Sequence, residues 1–396
     1  MRPVTHTARQ AKRISQRAQA IQPSGIRKFF DLLSSMEGVI SLGVGEPDYA
    51  TPWRLREVAI KSLEQGKTMY TSNLGTPELR EAIAGYLRQA YGLSYDPETE
   101  ILITVGVSEA MDLAMRSVID PGDEVILPAP CYVAYPAVIA LSGGVPVIVP
   151  TTAESDFEIE PSDIKDNITE NTRAIFIGYP ANPTGAVMSR RKLLGIAELA
   201  ERHGLLVISD EIYARLSYGD PHTCFASLPG MREQTVLLGG FSKAYAMTGW
   251  RVGYAAGPQE IVAAMTKIHQ HTIMCAPTMS QVAALEAIKA GEDSVLEMVA
   301  DYNRRRLLTV NGLRDIGLAC FEPKGAFYAF PSIRSTGLRS EEFAEKLLQE
   351  EKVAVVPGTA FGECGEGFVR CCYATSVPEL EEALFRIKRF VGKYGK

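Results

Sequence analysis

The feature that most restricts the fold is a series of short apolar runs that begins near residue 100 and alternates with segments of helical spacing. Apolar runs without polar alternation are typical of strands buried on both faces, as in a parallel sheet covered by helices. The runs up to residue 240 are 100–106, 123–130, 145–150, 172–180, 205–212 and 235–240. The pattern predicts an α/β fold with a mainly parallel sheet between helices.

A further apolar run at 250–257 follows closely, since only residues 241–249 separate it from the run before it. A parallel crossover needs about a dozen residues or more. We therefore predict that this strand is antiparallel to its neighbours. It would complete a seven-stranded sheet.

Beyond residue 281 the pattern changes to long helices, and a second group of strands follows at 325–330, 353–358 and 367–375 around a helix at 340–351. We interpret this part as a smaller α/β domain that is shared with the N-terminal arm. The predicted boundaries are 1–45 for the arm and part of the small domain, 46–282 for the large domain, and 283–396 for the C-terminal small domain.

The N-terminal segment is basic and contains no acid before Asp31, a composition that resembles a transit peptide. However, Ser24 is a helix-cap signal, and the helix that follows it would have an apolar face of Ile26, Phe29, Phe30 and Leu33. We predict an ordered arm rather than a cleaved leader.

Charge and cysteine content limit the class of partner. A net charge of −6 gives no overall field that would hold nucleic acid or an anionic membrane. No apolar run approaches the roughly 20 residues that a membrane-spanning helix needs. The seven cysteines contain no CxxC pair, which indicates reduced thiols. We expect a cytoplasmic protein without nucleic-acid or membrane partners.

Polar side chains follow the predicted strands, at the edge of the sheet where open α/β folds bind ligands. After the first strand, Gly106 begins a turn and Ser108 starts a helix, which is either a phosphate cradle or a capped helix without a ligand. Asn182 follows the fourth strand, where a simple turn is the alternative. Asp210 and Tyr213 follow the fifth strand, where a buried carboxylate needs a cation or hydrogen-bond donors. A structural ion pair or a helix cap would satisfy Asp210 equally well.

The sixth strand is followed by Ser242 and Lys243. A lysine in a partly buried cleft loses its proton readily and becomes a nucleophile toward carbonyls, whereas most lysines extend to solvent. Arg251 could bind phosphate in the same cleft or form an ordinary surface ion pair. Pyridoxal phosphate would use this whole series, because it requires a lysine, a carboxylate for the pyridinium nitrogen and a phosphate site. No metal is needed.

Longer motifs strengthen this interpretation. They are "IQPSGIRKFFDLL", "SLGVGEPDYATP", "YTSNLGTPELREAIA", "YPANPTGAV", "SDEIY", "GFSKAYAMTGWRVGY", "KGAFYAF", "VAVVPGTAFG" and "GFVRCCYATS". With them the chain resembles the class I and II aminotransferases, pyridoxal-phosphate enzymes of fold-type I, and especially their prokaryotic aspartate and aromatic branch. The resemblance implies a ping-pong transfer of an amino group between an L-amino acid and a 2-oxo acid such as 2-oxoglutarate.

The resemblance also implies a role for individual residues. Lys243 would bind the cofactor and move the proton, Asp210 would keep the pyridine nitrogen protonated, and Asn182 and Tyr213 would donate to the ring hydroxyl. The other implied positions are Val107, Ser108, Ser242 and Arg251 at the phosphate, Tyr132 stacked on the ring, and Gly43, Tyr132, Asn182 and Arg370 at the substrate. Tyr70 would reach the phosphate of a neighbouring subunit, which implies a homodimer with shared sites.

The substrate is less restricted than the reaction. One bacterial aspartate aminotransferase branch has a lysine near the phosphate helix where this chain has Ser108, so aromatic or mixed donors stay open. Three adjacent arginines at 304–306 are typical of a solvated helix face, so we do not predict that they contact the substrate. A C–S β-lyase or decarboxylase would keep the same cofactor residues.

Three other classes are less consistent with the sequence. A Rossmann oxidoreductase would need G-x-G-x-x-G after the first strand, where the chain has "TVGVSEA". A non-catalytic sensor domain of a transcription regulator would need an added DNA-binding module. A metal site at His269 and His271 is disfavoured because two helical residues two apart point to different sides, so we predict a surface or core contact.

Overall fold

The structure is a computed structural model that describes residues 14–21 and 36–394. The arm helix predicted to begin at Ser24 lies outside the described residues. The strands are β1 (Ile40–Ser41), β2 (Ile101–Thr104), β3 (Glu124–Ala129), β4 (Val145–Pro150), β5 (Thr172–Gly178), β6 (Leu206–Asp210), β7 (Thr235–Gly240), β8 (Gly253–Ala256), β9 (Tyr328–Ala329), β10 (Val353–Ala354), β11 (Val356–Pro357) and β12 (Val369–Cys372). The α-helices are α1 (Gln16–Ala20), α2 (Trp53–Glu64), α3 (Pro77–Tyr91), α4 (Gly106–Val118), α5 (Ala134–Ser142), α6 (Pro161–Asp166), α7 (Arg190–His203), α8 (Gln259–Thr272), α9 (Thr278–Ala290), α10 (Glu292–Asp315), α11 (Ser340–Glu351) and α12 (Val377–Tyr394).

The predicted central sheet is confirmed. Its seven strands lie in the order β2-β8-β7-β6-β5-β3-β4. All neighbouring pairs are parallel except those of β8, which is antiparallel to both β2 and β7. The short connection before β8 is therefore a reversal of direction, as its length requires.

Successive residues of the inner strands point to opposite faces of the sheet, and each face packs against helices. In β5, Phe176 belongs to a core shared with α4 and α8, and Ile175 belongs to a core shared with α7. Both side chains are fully buried. Burial on both faces explains why these strands have continuous apolar sequences rather than alternating ones.

The second group of elements forms the predicted smaller α/β part. Strands β11, β12 and β9 form an antiparallel sheet, and α10, α11 and α12 pack with it around Phe343, Leu347 and Phe390. The strand β1 pairs in parallel with β10, so the N-terminal segment contributes to this part. The domain boundaries near residues 45 and 282 stay predictions.

The prediction of a solvated helix face at residues 304–306 is wrong for two of the three arginines. Arg304 is exposed, but Arg305 and Arg306 are buried and lie against carboxylates. Arg305 contacts Asp48 at 2.7 Å and Arg306 contacts Glu322 at 2.9 Å. Because these partners lie on other segments of the chain, the charge pattern of the helix alone could not show them.

The remaining composition-based predictions concern cysteines, membranes and metals. All seven cysteines lie within the described residues and none forms a disulfide. In the part of the chain that the structure describes, no helix combines the length and apolarity needed to cross a membrane. The same residues contain no group of three or more His, Cys, Asp or Glu side chains placed to hold a metal ion.

Candidate active site

A cavity of about 490 Å³ lies at the carboxyl edge of the central sheet. The predicted residues on its wall are Val107, Ser108, Tyr132, Asn182, Asp210, Tyr213, Ser242, Lys243, Arg251 and Arg370. The wall also contains Gly45, Glu46, Met111, Val133, Tyr135, Ile212, Thr248 and Tyr328, which the sequence analysis did not single out. The strand ends therefore converge as the parallel topology predicts.

Lys243 follows the end of β7 and directs its amine into this cavity. Its Nζ donates a hydrogen bond to the carbonyl oxygen of Gly45 at 2.6 Å. Burial disfavours the charged amine and lowers the pKa of Lys243 to about 8. Within the described residues, no carboxylate lies within 4 Å of Nζ to reverse this effect. A larger share of this amine is therefore neutral near pH 7 than of a free lysine side chain.

Asp210 is the last residue of β6 and is almost fully buried. One carboxylate oxygen accepts the N–H of Ile212 at 3.1 Å, and the other accepts the hydroxyl of Tyr135 at 2.9 Å. Burial nevertheless raises the pKa of Asp210 to about 6, because these donors offset only part of the desolvation. No cation lies within 4 Å of it in the described residues, so a structural ion pair is not what holds it.

Arg370 lies on β12 and is 2% exposed. Its guanidinium donates to Asn182 Oδ1 at 2.8 Å and to the carbonyl of Gly43 at 2.6 Å. Gly43 is therefore next to the site although it does not line the cavity. The guanidinium also lies 4.5 Å from the centroid of the Tyr328 ring. Arg370 also lines the cavity, and no carboxylate among the described residues lies within 4 Å of its guanidinium, so its charge is open to an anionic ligand.

The hydroxyl groups of Tyr213 and Tyr328 lie 2.7 Å apart. Burial raises the pKa of Tyr213 well above its usual value, so this phenol keeps its proton and can donate it in a hydrogen bond. Asn182 uses its oxygen on Arg370, which leaves its amide N–H groups available to the cavity.

The start of α4 and Arg251 form an anion cradle. Gly106 has φ +72°, and a Cβ atom at this position would lie 2.7 Å from the Arg251 guanidinium. A Cβ atom at Gly253 would lie 2.9 Å from the backbone nitrogen of Val107. The glycines thus allow a guanidinium and the free N–H groups of a helix N-terminus to meet, which is an arrangement that binds phosphate. Ser242 lines the same cavity.

Two tyrosines that contact predicted residues, Tyr135 and Tyr328, were not predicted from the sequence. Tyr135 follows Tyr132 by one helical turn, a spacing that could have indicated a shared face. Tyr328 and the carbonyl of Gly45 had no comparable signal. Tyr70 does not line the cavity and is 80% exposed.

These residues fit pyridoxal phosphate. The buried carboxylate of Asp210 lacks a cation, the amine of Lys243 has a lowered pKa, and the cradle beside Arg251 is shaped for an anion. One ligand with a ring nitrogen, an aldehyde and a phosphate would match all three groups.

The comparison with known proteins agrees with this chemistry. The family model for "Aminotransferase class I and II" matches residues 37–387. YugH of Bacillus subtilis (strain 168), named as an aminotransferase, is 56% identical over 96% of this chain and 98% of its own. An aspartate aminotransferase of Pyrococcus abyssi is 45% identical over 95% of this chain and 97% of its own.

A solved structure of similar fold is the aromatic aminotransferase from Pyrococcus horikoshii OT3. It superposes with a TM-score of 0.88 at 44% identity and covers 92% of this chain and 99% of its own. These similarities extend over nearly the whole chain and favour neither an oxidoreductase nor a non-catalytic sensor. The chain belongs to the class I and II aminotransferases, and it is a fold-type I enzyme that uses pyridoxal phosphate.

Proposed function

We propose that the chain transfers an amino group between aspartate or an aromatic L-amino acid and a 2-oxo acid such as 2-oxoglutarate, in a ping-pong reaction. The observation that carries the proposal is the buried guanidinium of Arg370 on the same cavity wall as the amine of Lys243. A planar fork of donors binds a carboxylate through two parallel hydrogen bonds. It would orient the α-carbon of an amino acid for a base in the same cavity.

The proposed cofactor contacts follow the geometry of the wall. Lys243 would hold the cofactor covalently, Asp210 would face its ring nitrogen, and Tyr213 and Asn182 would donate to its ring oxygen. Val107, Ser108, Ser242 and Arg251 would bind the phosphate, and Tyr132 would stack on the ring. When bound, pyridoxal phosphate supplies an electron sink for the charge left by the departing α-proton.

The chain itself would supply proton transfer and orientation. Lys243 is the proposed base, because a pKa of about 8 leaves part of the amine neutral near pH 7. Asp210 would stabilise a positive charge on the ring nitrogen more strongly than water does, since it is buried without another cation. Arg370 would keep the α-carboxylate fixed while Lys243 takes and returns the proton.

The cavity wall supports aromatic donors in addition to aspartate. Tyr132 and Tyr328 provide aromatic surface on it, and Ser108 stands where one aspartate-selective branch has a lysine. The cations on the wall are Lys243, Arg251 and Arg370, each of which already has a proposed partner. The relatives named above include an aspartate and an aromatic aminotransferase, which is consistent with a mixed preference.

We also propose a cytoplasmic homodimer in which Tyr70 reaches the neighbouring site. Tyr70 is exposed next to Met69, which is 79% exposed. Their segment is bonded to the one that carries the exposed Ile273 and Met274, because Asn73 donates to the carbonyl of Met274 at 2.8 Å. Exposed apolar side chains that lie together are typical of an interface. The molar mass in solution, measured by light scattering, tests the dimer, and a monomer would contradict it.

The reaction is tested with a panel of amino acids added to the holoenzyme. A good donor should convert the cofactor to its amine form, which is followed by absorbance, with release of one equivalent of the matching 2-oxo acid. Release of pyruvate and ammonia from a sulfur-containing donor, without conversion by any amino acid, would favour the β-lyase instead. Comparison of aspartate with tyrosine and phenylalanine in the same assay measures the donor preference.

A further inference from the structure

A buried acid–base pair lies outside the cavity, behind the start of α4. His269 on α8 is fully buried, and its Nδ1 lies 2.7 Å from Glu109 Oε1. Because a carboxylate can only accept, Nδ1 carries the hydrogen of this bond. His269 Nε2 has no hydrogen-bond partner among the described residues. Of the surface or core contact predicted for His269, the structure has the core contact, and Glu109 is its partner.

The second oxygen of Glu109 is bonded to the backbone. Oε2 accepts the N–H of Val105 at 2.5 Å. Val105 immediately precedes α4, and its apolar side chain provides no cap. Glu109 therefore reaches back from the first turns of the helix to satisfy a backbone donor before it, as acidic residues do in helix caps. One carboxylate thereby joins α8 to the turn that leads into the phosphate cradle.

This turn leaves little room for displacement. Thr104 Oγ1 donates to the carbonyl of Gly106 at 2.9 Å, and the Arg251 guanidinium lies over Gly106. The backbone of Gly253 packs directly on the amide of Val107. A shift of Val105 would therefore move the N–H groups that point into the cradle. The helix α8 follows β8, which follows Arg251, so the pair joins the two segments that form the cradle.

We propose that Glu109, held by His269, is a positioning residue for the cofactor phosphate. It fixes the turn at 104–108 so that its amides and Arg251 keep the spacing that an anion requires. Neither side chain lines the cavity, so the effect acts through the backbone. The inference rests on the proposed function, because it takes the cradle to be the phosphate site.

The test compares two glutamates on either side of β2: Glu100 immediately before the strand, and Glu109 beyond it on α4. Glu100 is the matched control, because its Oε2 accepts the N–H of Asp96, also four residues away, at 2.7 Å, and pairs with Arg232 at 2.6 Å. The side-chain exposures are also similar, 13% for Glu100 and 11% for Glu109. Glu100 precedes the first residue of β2, whereas the cradle lies beyond its last residue. Removal of the Glu100 side chain should therefore not disturb phosphate binding.

The dissociation constant of pyridoxal phosphate is measured by absorbance titration of cofactor-free wild type, Glu109→Ala, Glu109→Gln and Glu100→Ala. We expect Glu109→Ala to raise the constant about tenfold or more, the size of one lost hydrogen bond to a charged group. Glu109→Gln keeps an acceptor for Val105 and should recover most of the affinity. Glu100→Ala should stay within about twofold of wild type, and the phosphorus NMR signal of the bound phosphate should move only in Glu109→Ala.

The inference would be overturned if Glu109→Ala and wild type had the same dissociation constant for pyridoxal phosphate. It would also be overturned if Glu109→Ala and Glu100→Ala lost the same amount of affinity. Wild-type protein that does not bind the cofactor would overturn the proposed function as well, so the two failures are distinguishable. If Glu109→Ala does not fold, His269→Phe keeps the ring volume and removes the donor to Glu109. It should raise the constant several-fold, and an unchanged constant in this variant would likewise overturn the inference.

Discussion

Two of the regions that hold buried charges in this protein differ in how those charges are neutralised. On α10, Arg305 lies between Asp48 and Asp301, and Arg306 is paired with Glu322. At the carboxyl edge of the sheet, Lys243, Asp210 and Arg370 have no opposite charge within 4 Å among the described residues. A buried charge is costly unless it is paired. The charges of the α10 network are therefore neutralised within the chain, whereas those at the sheet edge are not.

The pKa directions reflect the same difference. Burial lowers the pKa of Lys243 and raises that of Asp210, so that both groups are moved toward their neutral forms. On α10, burial opposes the charge of Arg305, but Asp48 and Asp301 outweigh it and the pKa of Arg305 is raised. Groups moved toward neutrality in a cleft are typical of sites that do chemistry.

The largest expected effect is that of Lys243→Ala. Loss of the amine should reduce transamination by about 10⁴-fold or more, because it removes both the covalent attachment and the base. It should also abolish trapping of the cofactor by borohydride, measured by mass spectrometry. Lys192 is the control, since it is a buried lysine that is paired with Glu158 and Glu160. Lys192→Ala should lose stability and keep activity, and a Lys243→Ala variant that still traps cofactor would contradict the assignment.

The next largest effect concerns Arg370→Lys. The substitution keeps the charge but removes the fork that holds Asn182 and Gly43, so kcat/KM should fall about 100-fold with cofactor affinity little changed. Steady-state kinetics with the best donor provide the measurement. Arg305→Lys is the control, because it makes the same substitution in the ion-pair network on α10. It should change kcat/KM by less than about threefold. An Arg370→Lys enzyme as active as Arg305→Lys would contradict the proposed carboxylate contact.

Asp210→Asn should stabilise the cofactor-free protein while it inactivates the holoenzyme. A carboxyl group whose folded pKa is raised from 3.8 to about 6 binds protons more tightly in the native state. Ionisation of Asp210 therefore lowers the free energy of unfolding as the pH rises from about 4 to about 6, and the loss persists above pH 6. At pH 7.5 the asparagine variant should gain about 1–3 kcal/mol in urea denaturation. Asp301→Asn is the matched variant. Burial raises the pKa of Asp301, but its hydrogen bonds and the nearby arginines lower the pKa by more. The folded protein therefore favours the ionised carboxylate, and the asparagine variant should be less stable than wild type.

The smallest effect is the pH dependence of cofactor capture by the cofactor-free protein. Because neutral Lys243 is the nucleophile and its pKa is about 8, the rate should rise about tenfold from pH 6 to pH 7 and level off above pH 8. Capture is followed by borohydride trapping at each pH. A free ε-amino group should keep gaining rate up to about pH 10. A rate that rises through pH 10 in the protein would show that burial does not lower the pKa of Lys243.

The central sheet could be predicted from sequence because burial on both faces leaves a local mark, a continuous apolar run such as that of β5. The direction of β8 could be predicted from the length of one connection. The contacts of Tyr135 with Asp210 and of Gly45 with Lys243 could not, since they join segments distant in the chain. The burial of Arg305 and Arg306 could not be predicted for the same reason, because three adjacent charges on a helix show nothing of the carboxylates that other segments bring to them.

The contrast between the two regions is tested most directly by the melting temperatures of cofactor-free Arg370→Met and Arg305→Met. Removal of Arg305 leaves Asp48 without its cation and Asp301 with Arg304 alone, and it should lower the melting temperature by several degrees. Removal of Arg370 loses two hydrogen bonds but also an unpaired buried charge, so Arg370→Met should melt within about 1 °C of wild type or above it. A decrease for Arg370→Met as large as that for Arg305→Met would show that its charge is neutralised within the chain, and would contradict the proposal that the sheet edge is built for a charged ligand.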